Sequence, residues 1–219
     1  RLMAKRVMGK ASFGQLQDFD LTTGEQWEVG SKFDFLDGRG SATVAIYQIT
    51  RKDLVTNDPN NPGETLPVGQ QTSTGIEVAG SLLVTPKLLA EGNVAWVDAE
   101  YDEFNETIGG ASVSRAGNSP SNVPDKVGNL WLTYDVAPRW QLGLDARYVA
   151  SVYADAANTL STPSYTLFGG FVGYEVAADT QLTLRGRNLT DEISARQAGS
   201  TMLYLGAPRT FEVALQTRF

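Results

Sequence analysis

From Glu25 to about Leu36 the chain alternates. Trp27, Val29, Phe33 and Phe35 fall on one side, and Glu28, Lys32 and Asp34 on the other. A period of two is the mark of a β-strand with one apolar face. The same pattern returns in Trp140, Leu142, Leu144, Ala146 and Tyr148 against Gln141, Asp145 and Arg147. It returns again at the C-terminus, where Phe211, Val213, Leu215 and Phe219 oppose Thr210, Glu212, Gln216 and Arg218, with Thr217 the one interruption. Between these lie further segments of the same kind, at about 41–56, 71–84, 88–101, 126–136, 163–176 and 181–188, giving nine predicted strands. In 41–56 the alternation gives no single facing, because Val44 and Ile46 oppose Tyr47 and Ile49.

The connections sort themselves. Asp37–Gly40, Thr85–Lys87, Ala137–Pro138 and Ala177–Thr180 are short, and Asp37-Gly38 suits a turn that needs positive φ. Asn57–Gln70, Asp102–Asp125, Ala154–Thr162 and about Leu189–Leu203 are longer and polar. Strict alternation of short and long connections is the habit of an outer-membrane barrel, with short periplasmic turns and long extracellular loops. Most of these strands run about 11 to 16 residues, where a tilted strand needs about 9–11 to cross hydrocarbon and a soluble strand commonly has about 5–6. The fold class is therefore all-β, an antiparallel transmembrane β-barrel segment, with a soluble β-sandwich as the competing arrangement. Phe33, Phe35, Tyr134, Trp140, Tyr174 and Phe219 lie near short turns or the C-terminus, where an interfacial aromatic girdle belongs. The general preference of aromatics for strands accounts for the same placement.

Composition narrows the chemistry. The 219 residues are 42% hydrophobic, and no run approaches the roughly 20 apolar residues of a membrane helix. Eighteen basic against 25 acidic residues give a net charge of −7, which argues against a general nucleic-acid binder. With no cysteine and no histidine, disulfides, thiolate sites, imidazole metal sites and Ser-His-Asp hydrolysis are excluded for this chain. An outer-membrane enzyme would need a positioned base and nucleophile, and the sequence offers no such pair. The chain starts at Arg1 without a signal-peptide pattern, so a mature or truncated start is expected.

Four motifs in order resemble a known family. Gly24-Glu25-Gln26-Trp27-Glu28-Val29-Gly30-Ser31-Lys32 looks like the E-x-(Y/W)-E-x-G-x-K strand of TonB-dependent siderophore receptors. Ser73-Thr74-Gly75-Ile76-Glu77-Val78 is similar to their S-x-G-(V/I)-E strand. Arg187-Asn188-Leu189-Thr190-Asp191-Glu192 and Tyr204-Leu205-Gly206-Ala207-Pro208-Arg209-Thr210-Phe211 resemble the closing pair of strands. The resemblance covers 23–219 and implies the C-terminal strands of a plugged barrel of about 22 strands. Residues 1–22 stay unassigned, as a loop, a preceding strand or a tail.

What the resemblance implies is uptake of a ferric siderophore across the bacterial outer membrane. The plug and the TonB-binding segment would lie outside this chain. The siderophore keeps the iron, so no cofactor and no protein metal ligands are expected. Cobalamin, glycan or haem uptake belongs to the same superfamily, although haem receptors usually use histidine. A passive diffusion porin shares the turn asymmetry without the motifs. Tyr101, Arg147 and Tyr153 fall on lumen-facing parity and Arg115 lies in the longest loop. Aromatic and guanidinium groups suit an aromatic, anionic chelate. Lumen lining and loop packing are the plainer roles for all four. Asp98, Glu100, Asp102, Glu103 and Glu106 raise calcium, but the spaced glycine of a calcium loop is missing. A solvated loop end is the simpler reading. The resemblance also implies that Phe211, Val213, Leu215 and Phe219 form the signal read by the barrel-assembly machinery, with outer-membrane lipid as the surroundings.

Overall fold

The computed structural model describes residues 9–10, 16–17, 22–57, 65–199 and 201–218. Phe219 and much of the 57–70 connection lie outside the described residues. Nine antiparallel strands form one sheet in chain order: β1 (Thr23–Phe35), β2 (Gly40–Asn57), β3 (Thr65–Thr85), β4 (Leu88–Glu103), β5 (Lys126–Ala137), β6 (Trp140–Val149), β7 (Tyr165–Ala177), β8 (Thr180–Arg187) and β9 (Thr210–Thr217). Each strand pairs with its neighbours in sequence. The sheet does not close on itself: among the described residues β1 and β9 each pair on one side only. A two-residue ladder, Gly9–Lys10 with Leu16–Gln17, precedes it.

All four short connections are tight hairpins at one end of the sheet. Phe35 pairs with Gly40, Thr85 with Leu88, Ala137 with Trp140 and Ala177 with Thr180. The first turn takes positive φ at Leu36, Asp37 and Gly38 (53°, 54° and 82°). Glycine reaches that region without a Cβ penalty and Asp tolerates it better than most residues.

Register sets which residues share a face. Val29–Ile46–Ile76–Trp96 is one cross-strand row, and Leu144–Gly170–Gly186–Phe211 is another. Together these rows make one apolar face, which between its aromatic ends carries no charged residue and a single hydroxyl, Ser31. The facing of β2 is resolved. Val44 and Ile46 join the apolar face, while Tyr47 and Ile49 lie on the other. Tyr47 fits there because Gly75 directly opposite leaves room for its ring, which occupies the space a Cβ would fill.

Aromatic residues mark both edges of the apolar face. Phe33, Phe35, Tyr134, Trp140 and Tyr174 line the turn end, with Trp140 and Tyr174 in contact at 4.6 Å between ring centroids. Trp27, Trp96 and Tyr148 line the opposite end. Eight residue steps separate Trp140 from Tyr148, about 26 Å along a strand. A tilt near 40° reduces this to about 20 Å, close to the apolar band of outer-membrane barrels.

Candidate functional site

The polar face of the sheet carries the charges. Arg147 Nη1 donates to Asn129 Oδ1 (3.1 Å), and Asn129 Nδ2 donates to Asn93 Oδ1 (2.8 Å), a chain across β6, β5 and β4. Arg187 on β8 pairs with Glu212 on β9 at 3.3 Å. The Arg185 guanidinium sits 5.5 Å from the centroid of the Phe171 ring. That ring in turn lies across Gly143 on the paired strand, in space that a Cβ would occupy. Trp131 is on this face too, opposite Glu91 and Asp145. A wall of this composition is wettable and offers stacking, cationic and anionic groups in alternation.

The end opposite the turns is built from the long connections, and three contain antiparallel ribbons. Asn105–Ile108 pairs with Ala111–Ser114, Val152–Tyr153 with Ser161–Thr162, and Ala195–Ala198 with Leu203–Leu205. The first sits within Asp102–Asp125, the longest connection. Gly109 and Gly110, both at positive φ (59° and 83°), supply its two-residue turn.

Asparagine side chains tie these loops together. Asn158 Nδ2 donates to Ser119 O while Ser119 N donates to Asn158 Oδ1, both at 2.8 Å. Asn122 makes the same reciprocal pair with Ala198, again 2.8 Å in each direction. Asn118 Nδ2 donates to Ala156 O at 2.8 Å. The base of the last loop is pinned by Asn188, which donates to Glu192 O and Ala207 O and accepts from Glu192 N. Asp191 Oδ1 accepts from Arg209 N at 2.9 Å. These bonds give the Arg187–Glu192 and Tyr204–Phe211 motifs a physical reason: they close the loop between the last two strands. Within the middle loop, Asp155 accepts from Thr159 and from the Leu160 amide. The Thr159 hydroxyl first, and then the Leu160 amide, hold this carboxyl below the usual carboxylate range.

The candidate residues fall into two groups. Tyr101 is buried at 9% exposure, stacked on Phe104 with centroids 4.4 Å apart and bonded to Ser121. Arg115 Nε is paired with Glu106 Oε2 at 2.7 Å and is largely covered. Both hold the first loop together. Arg147 lies open on the polar wall, and Tyr153 stands 38% exposed in the middle loop. No bond joins the four into a single constellation. Among the acidic candidates, Asp102 Oδ2 accepts from Thr72 Oγ1 (2.7 Å) and Gln70 Nε2 (3.0 Å). Among the described residues no group of three or more acidic side chains is placed to hold a metal ion. Asn118, Asn122 and Asn158 went unread in the sequence, and Asn188 entered only as part of a motif. Their signal was the recurrence of Asn in Gly-, Ser- and Pro-rich loops, where Asn tolerates the left-handed conformation. Asn122, Asn158 and Asn188 all adopt it, with φ of 62°, 58° and 50°.

One charge-free face bounded by two aromatic girdles, a polar face behind it, tight turns at one end and structured loops at the other define a membrane-spanning β-barrel wall. Residues 8–189 match the family described as TonB dependent receptor-like, beta-barrel, and the chain belongs to that family. It is 30% identical over 207 residues to the metal-pseudopaline receptor CntO of Pseudomonas aeruginosa, covering 92% of this chain and 28% of that protein. It is 27% identical over 210 residues to the ferrichrome outer membrane transporter/phage receptor of Escherichia coli, covering 92% of this chain and 27% of the other. The solved siderophore receptor PiuA of Acinetobacter baumannii superposes with a TM-score of 0.80 at 27% identity, over 92% of this chain and 29% of that one. This chain thus spans little more than a quarter of the length of these relatives. The family is one of transport receptors with outer-membrane members.

Proposed function

We propose that this chain supplies nine C-terminal strands to an outer-membrane, TonB-dependent receptor that takes up a ferric siderophore or similar metal chelate. The observation that carries the reading is the division of the sheet into an apolar face and a polar face, crowned at one end by knitted loops. Its support in ligand class comes from relatives named for ferrichrome, ferrioxamine B and a metal-pseudopaline complex. The knitted loops would be extracellular and the tight turns periplasmic. Tyr153 and Arg147 are the candidate contacts for ligand on its way in, through stacking and charge. Tyr101 and Arg115 would act by shaping the loop that holds them.

Energy coupling would come from TonB, acting on a plug domain of the full-length receptor. Insertion would use the barrel-assembly machinery, for which the alternate-residue stripe Phe211, Val213, Leu215 and Phe219 of the sequence is the proposed signal. In cells, Phe219→Ala should sharply reduce the inserted amount, while the refolded variant loses little stability. Normal insertion would leave Phe219 a girdle residue only.

The function is tested by uptake of radiolabelled ferric hydroxamate, ferric catecholate and metallophore complexes. Cells with and without the full-length receptor are compared, with and without TonB. Receptor- and TonB-dependent uptake of one class is the expected result. Uptake that persists without TonB would point to a diffusion porin. Deleting Ile108–Asn118 should raise the chelate concentration for half-maximal uptake at unchanged receptor abundance.

A further inference from the structure

The three interlocked loops meet at one residue. Asn122 lies in the connection between β4 and β5. Its backbone N–H donates to Tyr153 O in the connection between β6 and β7 (2.8 Å). Its side-chain amide pairs in both directions with Ala198 in the connection between β8 and β9. Asn158 adds a second reciprocal clamp between the first two loops, and Asn118 a third bond between the same pair. Ala198 is only 4% exposed, so this junction is shielded from water. There a polar group left without a partner is costly.

We propose that 104–125, 150–164, 188–199 and 201–209 move as one preorganised body, with Asn122 as its keystone and Asn158 as its second clamp. A side-chain amide that both donates to and accepts from one backbone position imitates a β-bridge without a strand. Such pairs fix distance and orientation together, and cooperatively linked bonds open together. A ligand meeting this part of the mouth finds a surface already formed, which lowers the ordering cost of binding. Asn118, Asn122 and Asn158 are accordingly positioning residues that need not touch the ligand. The relevance to capture rests on the proposed receptor function; the rigidity itself does not.

The test is amide hydrogen exchange on the full-length receptor in lipid nanodiscs, with no ligand added. Asn158→Gly removes one clamp without strain, because its φ of 58° suits glycine. Exchange at Ser119 should rise roughly fivefold or more from the lost bond. The discriminating amide is Ala198, which Asn158 does not touch: it should accelerate as well. Asn122→Gly should accelerate Ala198 directly and Ser119 through the body. Strand amides such as Leu144 and Val172 serve as the reference and should not change. Acceleration confined to the amide whose acceptor was deleted would overturn the proposal, since the loops would then open independently. If a glycine variant fails to assemble, Asn118→Ala carries the same test. It deletes a donor and no amide's acceptor, so faster exchange at Ala198 supports the single body and unchanged exchange overturns it.

Discussion

The two faces of β6 share one backbone and differ sharply in polarity. Trp140, Leu142, Leu144, Ala146 and Tyr148 point one way, and Gln141, Gly143, Asp145 and Arg147 the other. Burial does not separate them, since Leu144 is 62% exposed in this chain. What separates them is the cost of a polar group. A soluble protein rarely leaves an apolar patch of this extent facing water. In a membrane wall it is the other face that water wets. In the proposed receptor the exposed leucines would be at their lowest free energy against acyl chains, and the charges at theirs against water.

That contrast is broken most forcefully by a charge on the wrong face. Leu144→Arg in the full-length receptor should cost about 2–4 kcal/mol, the range for a cation near the bilayer midplane. Asp145→Asn, one residue along on the channel face, should fall within about 0.5 kcal/mol of the parent, as most substitutions away from special features do. Denaturant unfolding in lipid vesicles measures both, and equal losses would erase the distinction between faces.

A second test sharpens what the channel face packs. The Phe171 ring occupies the space over Gly143, so Gly143→Val forces the ring or the strand to move. A loss of about 1–3 kcal/mol is the usual scale of overpacking. Adding Phe171→Ala should recover part of that loss, because the clash disappears; an additive double variant would show that the ring was never in the way.

The smallest effect belongs to the loop end. Asp155 accepts its bonds as a carboxylate and its folded pKa is lowered. Its contribution is therefore present above the unfolded value near 3.9, and is lost as pH falls below that value and through the folded one. Exchange at Leu160, compared after correction for the intrinsic pH dependence, should keep its protection from pH 7 to 5 and lose it progressively as pH falls below about 3.9. Asp155→Asn should remove that pH dependence.

Alternation made most of this wall legible in the sequence, because a period of two reports local geometry and the turns lie next to what they join. β2 resisted since Tyr47 and Ile49 are apolar by type while lying on the polar face, and only the register to Gly75 and Ser73 shows how they fit. The ribbon at Asn105–Ser114 had its signal in Gly109-Gly110, masked by a polar surround. The Asn122–Ala198 clamp joins residues 76 apart, and nothing local in either segment announces the other. Tyr101 and Arg115 had the right chemistry for a ligand, but Phe104 and Glu106 nearby already engage them.

In the proposed receptor, successive residues of β6 face lipid and channel in turn. Single cysteines replacing each residue from Leu142 to Arg147 in the full-length receptor, labelled with an environment-sensitive fluorophore, can be read against nitroxide-bearing lipids. Strong quenching at Leu142→Cys, Leu144→Cys and Ala146→Cys, with weak quenching at Gly143→Cys, Asp145→Cys and Arg147→Cys, is the predicted result. Quenching that varies smoothly along the six positions, without alternation, would contradict it.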